Sequence, residues 1–342
     1  METAYVYHPI YLEHNRPGHP ENARRLKRTM ETLDDRGVLD RLRLLEPRSA
    51  TEEELLRVHT KDHIQHVKNV AQRGGGYLDP DTYVSSQSFE AALMAAGGLV
   101  HAVESVLDGE IANAFALVRP PGHHATTERA MGFCLFNNVA VAAHAAMALA
   151  GVERVFVVDF DVHHGNGTAD ILADNPDIFY VSTHQYPYYP GTGAREDTGR
   201  GAGAGSALNV PLPTNVGDEG YARIFETLVW PLAERFHPDL ILVSAGYDAH
   251  WDDPLARMGL SLAGYAAITR TLVEMADQLC EGRIVLTLEG GYQLSVLAHG
   301  VLNTFYALLG EETVIDPLGP SPRSEPSIEA LIDDLKELHQ ID

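Results

Sequence analysis

The feature that most constrains this chain is a repeated punctuation in which short apolar runs each end in a polar loop. The runs are Ala4–Tyr7, Ala114–Val118, Val155–Asp159, Ile178–Ser182, Leu240–Ser244 and Ile284–Leu288, with a shorter candidate at Asn209–Leu212. They are rich in Val, Ile, Leu and Phe and show little polar alternation, as strands buried on both faces of a parallel sheet do. Between them lie stretches with helical spacing: Glu21–Leu33, Phe89–Leu107, Asn138–Leu149, Glu219–Arg235, Leu262–Cys280 and Ser295–Leu309. Parallel strands need crossovers of about this length. The alternation therefore predicts an α/β fold, one sheet with helices on both sides. With 342 residues and 45% apolar content, the chain can bury one large core. Residues 1–310 read as a single domain. Residues 311–342 read as a tail, in which Pro- and Ser-rich Pro317–Pro326 leads to a charged helix at Ile328–Leu338. The glycine-rich stretch Gly191–Ser206 reads as an irregular surface segment.

Composition excludes several classes of function. Forty-eight acidic residues against 25 basic ones give a net charge of −23. Nucleic-acid binding needs a basic face, so none is expected. The acidity suits a cationic substrate such as a lysine-rich tail or a polyamine, and equally serves solubility. Two cysteines, Cys134 and Cys280, make no disulfide framework, and a reducing cytoplasm is the expected setting. The start METAYVYHPIY lacks a basic segment followed by an apolar one, so no signal peptide is expected. The longest apolar run, Val139–Ala150, contains His144 and is too short to cross a bilayer.

The polar residues cluster where strands end. Ala-Leu-Val is followed by Arg119-Pro-Pro-Gly-His123-His124, and Val-Phe-Val-Val by Asp159-Phe-Asp161-Val-His163-His164-Gly-Asn166. Leu-Ile-Leu-Val precedes Gly246-Tyr-Asp248-Ala-His250, and Ile-Val-Leu-Thr-Leu precedes Glu289-Gly-Gly-Tyr292. In parallel α/β sheets ligands bind beyond the carboxyl ends of the strands. Four strands thus deliver His, Asp and Tyr to one rim. Alternation along an extended chain would point Asp161 and His163 to one side, and Asp248 could supply a third ligand from another strand. Two carboxylates and an imidazole with an open position suit a catalytic zinc, and iron(II) or manganese accepts the same donors. The plainer reading is that Asp161 and His163 cap a helix at Gly165–Asn175. His123 and His124 fit proton transfer near neutral pH, with metal ligation as the rival role. A phenol at Tyr292, after two glycines, could donate to a developing oxyanion.

Taken together, RPPGHH, GFCLFNN, DFDVHHGNGT, YPGTG, GYDAH and EGGY, with HPENARR at His19–Arg25, resemble the histone deacetylase family. The details look like its class II and bacterial branch, which includes acetylpolyamine amidohydrolases. The resemblance covers all but the C-terminal tail. It implies an arginase-like α/β/α fold around a mainly eight-stranded parallel sheet, with zinc on Asp161, His163 and Asp248. It pairs His123 with Asp159 and His124 with Asn166. Neutral Asn166 would not raise the pKa of His124 as a carboxylate would. His124 is therefore read as general base and then acid, and His123 as its electrostatic partner. Tyr292 would polarise the scissile carbonyl. A potassium ion is implied at Asp159, Asp161 and His163 oxygens with Ser182 and the Thr183 carbonyl. Gly132, Phe133, Tyr189 and Leu255 match the substrate tunnel, and Asp79 or Asp81 matches a rim acid. Tyr189 departs from the usual Phe, and Leu255 stands where a polyamine-tuned member can carry Glu. Arg25 would bind the acid product or, more simply, form a salt bridge on a surface helix. The implied reaction is removal of an acetyl or other short acyl group from lysine in a peptide or protein, or from a small amine. An arginase-type ureohydrolase and a non-catalytic binder of acylated amines are the rival readings.

Overall fold

All seven apolar runs form strands. The computed structural model describes residues 2–341. In chain order the strands are β1 (Thr3–Val6), β2 (Arg43–Leu45), β3 (Gly75–Tyr77), β4 (Tyr83–Ser85), β5 (Asn113–Ala116), β6 (Val155–Asp159), β7 (Ile178–Gln185), β8 (Ala207–Leu212), β9 (Leu240–Ala245) and β10 (Ile284–Leu288). The helices are α1 (Arg24–Asp35), α2 (Glu52–Leu56), α3 (Lys61–Gln72), α4 (Ser88–Leu107), α5 (Asn138–Met147), α6 (Asn166–Leu172), α7 (Asp218–Ile224), α8 (Trp230–Phe236), α9 (Leu262–Leu279), α10 (Leu294–Leu308) and α11 (Glu329–His339). Eight strands make one sheet in the order β2-β1-β5-β10-β9-β6-β7-β8, while β3 and β4 form a separate hairpin. Every pairing in the large sheet is parallel.

Two helical layers cover the sheet: α1, α10 and α9 pack in series, and α4 packs on α5. Central strands are therefore buried on both faces, which is why they lack polar alternation. Phe115, Phe156, Val157 and Leu286 are fully buried, each contributing about 1.5–3 kcal/mol by leaving water. Strands β5, β10, β9 and β6 are consecutive in the sheet. The four loops that carry the chemistry follow these four strands and so open side by side.

Some elements differ from the expectation. The stretch Glu219–Arg235 is α7 and α8 joined by a π segment, Phe225–Val229. Pro231 near the start of α8 explains the break. It has no N–H, and its ring crowds the carbonyl four residues earlier, so the chain widens by one residue. The expected start of α1 at Glu21 moves to Arg24, and Glu21 is a buried loop residue. Helix α3 was not anticipated. Thr60 caps it by accepting from His63 N at 3.3 Å, and Ile64, Val67 and Ala71 face inward. The apolar run Val139–Ala150 lies largely within α5, a helix too short to cross a bilayer. Among the described residues α4 alone is long and apolar enough to cross a membrane, and 67% of its apolar window is buried inside the protein. The tail helix forms as α11. Ahead of it, Gly319 O accepts from Trp251 Nε1 at 2.9 Å, and Glu325 accepts from Glu219 N and Gly220 N at 3.0 Å. Met1 and Asp342, the outer bounds of the two expected segments, lie outside the described residues.

Candidate active site

Asp161, His163 and Asp248 converge as the sequence suggested, but by a different route. Strand β6 stops at Asp159, so pleat alternation does not aim them. Two consecutive side-chain turns do: Asp159 Oδ1 accepts from Asp161 N at 3.1 Å, and Asp161 Oδ1 accepts from His163 N at 2.9 Å. Asp248 arrives after β9 and its Oδ1 accepts from Val162 N at 3.0 Å. His163 Nδ1 then lies 3.2 Å from Asp161 Oδ1 and 3.3 Å from Asp248 Oδ2. One ligand atom from each residue falls within 4.8 Å of the other two. Neither Asp161 nor His163 caps α6; its cap is Gly165, which makes no side-chain cap bond.

The cluster fits a divalent ion. Asp248 Oδ2 is buried with only the His163 ring 3.3 Å away, and buried carboxylates are either paired or coordinate a metal. Burial works against a charged His163, yet bonds to Asp161 and Asp248 outweigh it and hold its pKa well above the ordinary value. The two carboxylates thus demand positive charge. Gly246 and Gly290 line the hollow: a Cβ on Gly290 would overlap Asp248 Oδ2 and lie 2.5 Å from Asp161 Oδ2, and one on Gly246 would lie 2.5 Å from Asp161 Cγ. A second grouping, His123, Cys134 and Glu289, is also close. Its atoms are already engaged. Glu289 accepts from Gly122 N at 2.7 Å, His123 N at 3.2 Å and Ser244 Oγ at 3.1 Å. Burial holds Cys134 as a thiol.

The two histidines occupy different environments. His123 Nδ1 lies 3.0 Å from Asp159 Oδ2, which also accepts from Tyr180 OH at 3.0 Å. His124 Nδ1 lies 2.8 Å from Asn166 Oδ1. Burial disfavours the imidazolium of His123, but Asp159 and Asp161 outweigh it and push its pKa up to about 10. Burial, followed by the positive charges of His123 and His163, holds His124 well below its usual value. The pair therefore presents one charged and one neutral ring, 4.0 Å apart. Neither histidine belongs to the grouping of Asp161, His163 and Asp248.

A cavity of about 240 Å³ opens above these groups, lined by Asp81, His124, Gly132, Phe133, His163, Tyr188, Tyr189, Leu255 and Tyr292. All five expected substrate-contacting residues are present in it. Asp81 rather than Asp79 faces the cavity; Asp79 Oδ1 is occupied by the N–H groups of Asp81 and Thr82. Phe133 meets Tyr292 edge to face at 5.9 Å, and Tyr189 meets His124 at 5.1 Å. Tyr188, which the sequence did not single out, stacks on His163 at 5.8 Å and donates to Leu255 O at 2.8 Å. Ser182 pairs with Asp159 across β6 and β7 and bonds His184 Nδ1 at 2.9 Å, while Thr183 Oγ1 is buried without a partner.

Arg25 contradicts its expected place on a surface helix. It is fully buried. Its Nε donates to Gly291 O at 2.7 Å and its Nη2 to Glu289 O at 2.5 Å, and its guanidinium lies 5.0 Å from the Tyr292 ring. Glu21 pairs with Arg25 and, through both oxygens, with fully buried Arg119. Arg119 in turn donates to Tyr11 O and His14 O at 2.7 Å each. This network fixes the loop beneath Tyr292. In the sequence Glu21 and Arg25 stand within HPENARR and Arg119 heads RPPGHH, with no signal that the three are buried together.

Known proteins resemble this chain in both sequence and fold. The sequence pattern of the histone deacetylase domain matches residues 19–308. A probable deacetylase of Archaeoglobus fulgidus is 42% identical over 314 residues, covering 91% of this chain and 87% of the relative. A histone deacetylase-like amidohydrolase of Pseudomonas aeruginosa is 41% identical, covering 88% of this chain and 80% of the relative. The crystal structure of the HDA15 HD domain superposes with a TM-score of 0.91 at 37% identity, over 99% of this chain and 94% of that one. The parallel eight-stranded sheet, the cavity over its strand ends and these matches together lead to one statement: the chain belongs to the histone deacetylase family.

Proposed function

We propose that the protein is a zinc-dependent amidohydrolase that removes acetyl or other short acyl groups from the ε-amine of lysine or a related amine. The observation that carries this reading is the meeting, in one narrow cavity, of His163, neutral His124 and Tyr292, above buried Asp161 and Asp248. A divalent ion held by Asp161, His163 and Asp248 would polarise the acyl carbonyl and make a water molecule acidic near neutral pH.

The side chains account for the remaining steps. Asn166 keeps the Nδ1–H of His124 engaged, which leaves Nε2 to take a proton from the attacking water. The water oxygen bonds to the carbonyl carbon, and the Tyr292 hydroxyl donates to the carbonyl oxygen as it gains charge. Protonated His123, fixed by Asp159, stabilises that charge nearby. His124 then returns the proton to nitrogen as the C–N bond breaks, and the acid so formed passes its remaining proton to the released amine, giving a carboxylate and an ammonium ion. Phe133, Tyr189 and Leu255 suit a methylene chain, and Asp81 at the mouth suits a cation or a peptide N–H. A potassium ion among Asp159, Ser182 and the Thr183 carbonyl belongs to the same reading. It would offset the carboxylates crowded behind the histidines.

Two substrate classes fit this cavity, acyl-lysine in a peptide and a small acylated amine. Leu255, uncharged at the rim, favours lysine over a polyamine. Turnover of an acetyl-lysine peptide and of N-acetylputrescine, compared side by side, decides it. Tyr292→Phe is expected to lower kcat by about 10²–10³-fold, the usual cost of one oxyanion donor, while zinc stays bound. Unchanged turnover in that variant would overturn the assignment.

A further inference from the structure

Asp253 takes no part in the steps above, yet it is one of the few carboxylates buried near the cavity, at 6% exposure. Its Oδ1 accepts from Leu255 N at 2.9 Å. Its Oδ2 accepts from Tyr292 N at 2.7 Å and from Gln293 N at 3.1 Å. One side chain thus closes its own loop and binds the next. The first loop runs from Asp248 to Leu255 after β9; the second runs from Glu289 to Gln293 after β10. At the surface the same two loops meet again, where Gln293 Nε2 donates to Asp252 Oδ2 at 3.0 Å.

The second loop needs such an anchor. Gly290 and Gly291 precede Tyr292, and Gly291 sits at φ +116, so the backbone there has little stiffness of its own. Arg25 holds the carbonyls of Glu289 and Gly291 from below. Asp161 Oδ2 accepts from Gly290 N at 2.8 Å. Asp253 receives the N–H groups of Tyr292 and Gln293, the point where the loop turns into α10. A buried carboxylate is costly unless hydrogen-bonded; three N–H donors meet that cost here, and the geometry suits a carboxylate better than an amide. Asn would set its NH2 against at least one backbone N–H.

We propose that Asp253 is a positioning residue that aligns Tyr292, latching the oxyanion-donor loop to the loop that carries the metal ligand Asp248. The proposal rests on the reaction given above. Its effect is felt through Tyr292: a displacement of about 1 Å in an aligned group can cost about 10²-fold in rate.

The test is a double-mutant cycle on the metal-loaded protein, with Asp253→Asn, Tyr292→Phe and the pair. Asp253→Asn should lower kcat by about 10²-fold, change KM by less, and retain the metal. In the Tyr292→Phe background it should add no more than about twofold, because the group it aligns is gone. Multiplicative losses, or loss of metal in the single variant, would overturn the proposal. Hydrogen exchange provides a reading independent of turnover. The amides of Tyr292 and Gln293 should exchange faster in Asp253→Asn while those of the central strands do not, and unchanged exchange at both would also overturn it. If Asp253→Asn does not fold, or keeps its carbonyl oxygen on Tyr292 N and Gln293 N, Asp253→Ala, which removes every acceptor, carries the same measurements. A wild type that hydrolyses no acylated amine would sink the proposed reaction. The exchange data would still decide whether the latch exists.

Discussion

Replacing Gly290 by Ala tests the metal cradle directly. The added methyl would overlap Asp248 Oδ2 and sit 2.5 Å from Asp161 Oδ2, where ordinary contact begins at 3.4 Å. Both carboxylates among the three ligand residues must therefore withdraw, Asp161 by about 0.9 Å. Metal sites accept ligand displacements of only about 0.2 Å. The variant also strains the bond from Gly290 N to Asp161 Oδ2. Loss of a residue that merely supports a ligand typically costs 10–100-fold in affinity. Displacing the ligands themselves should cost at least about 100-fold, or about 2.7 kcal/mol. Competition for zinc against a chelator of known affinity reads this number, with circular dichroism to check that the fold is intact. A folded Gly290→Ala protein that binds zinc within about threefold of wild type would refute the cradle.

Two further outcomes concern stability. Burial lowers the pKa of His59 to about 3 and of His184 to about 4. The geometry agrees for His59, whose Nε2 accepts from Asn137 N at 2.9 Å while Nδ1 faces Thr126 O at 3.0 Å. Both pKa values are depressed, so the unfolded chain takes up protons first. The contribution of these two histidines should be flat above about pH 7 and fall below about 6.5, by about 3 kcal/mol for the two together at pH 5.5. Urea unfolding at pH 7.5 and 5.5, compared between wild type and the variant His59→Gln with His184→Gln, measures this, and the same pH dependence in both proteins would contradict it. Glu21→Gln leaves Arg119 and Arg25 buried without their carboxylate. It should cost about 3–5 kcal/mol by urea unfolding at neutral pH; a cost below about 1 kcal/mol would mean that the backbone carbonyls suffice.

Much of this fold is legible in the sequence because buried parallel strands announce themselves. Runs such as Val155–Asp159 and Ile284–Leu288 are continuous, apolar and short, and the residues after them are chemically conspicuous. Edge and peripheral pieces carry no such signature. Strand β2 is three residues, Arg43–Leu45, two of them exposed, and its pairing with β1 depends on tertiary contact. The π segment before Pro231 follows from proline chemistry, yet its position depends on packing. At the site, residue identity foretold which side chains would meet, while backbone turns decided how. Asp161 and His163 converge through Asp159 and Asp161 acting as turn acceptors, which spacing alone does not reveal. The buried partners were least legible. Arg25, Glu21, Glu289 and Asp253 are charged residues that composition places on the surface, and only the folded contacts show them holding loops from within.

The central claim is that Asp161, His163 and Asp248 hold one catalytic ion beneath the cavity that His124 and Tyr292 line. The most direct measurement is turnover of an acetyl-lysine peptide by metal-stripped protein during stepwise addition of zinc, with bound metal counted in parallel. No activity is expected without metal, followed by a linear rise that breaks at one ion per chain, with Asp248→Ala binding far less zinc and gaining none of that activity. Full turnover by the stripped protein, or a break at two ions per chain, would contradict it.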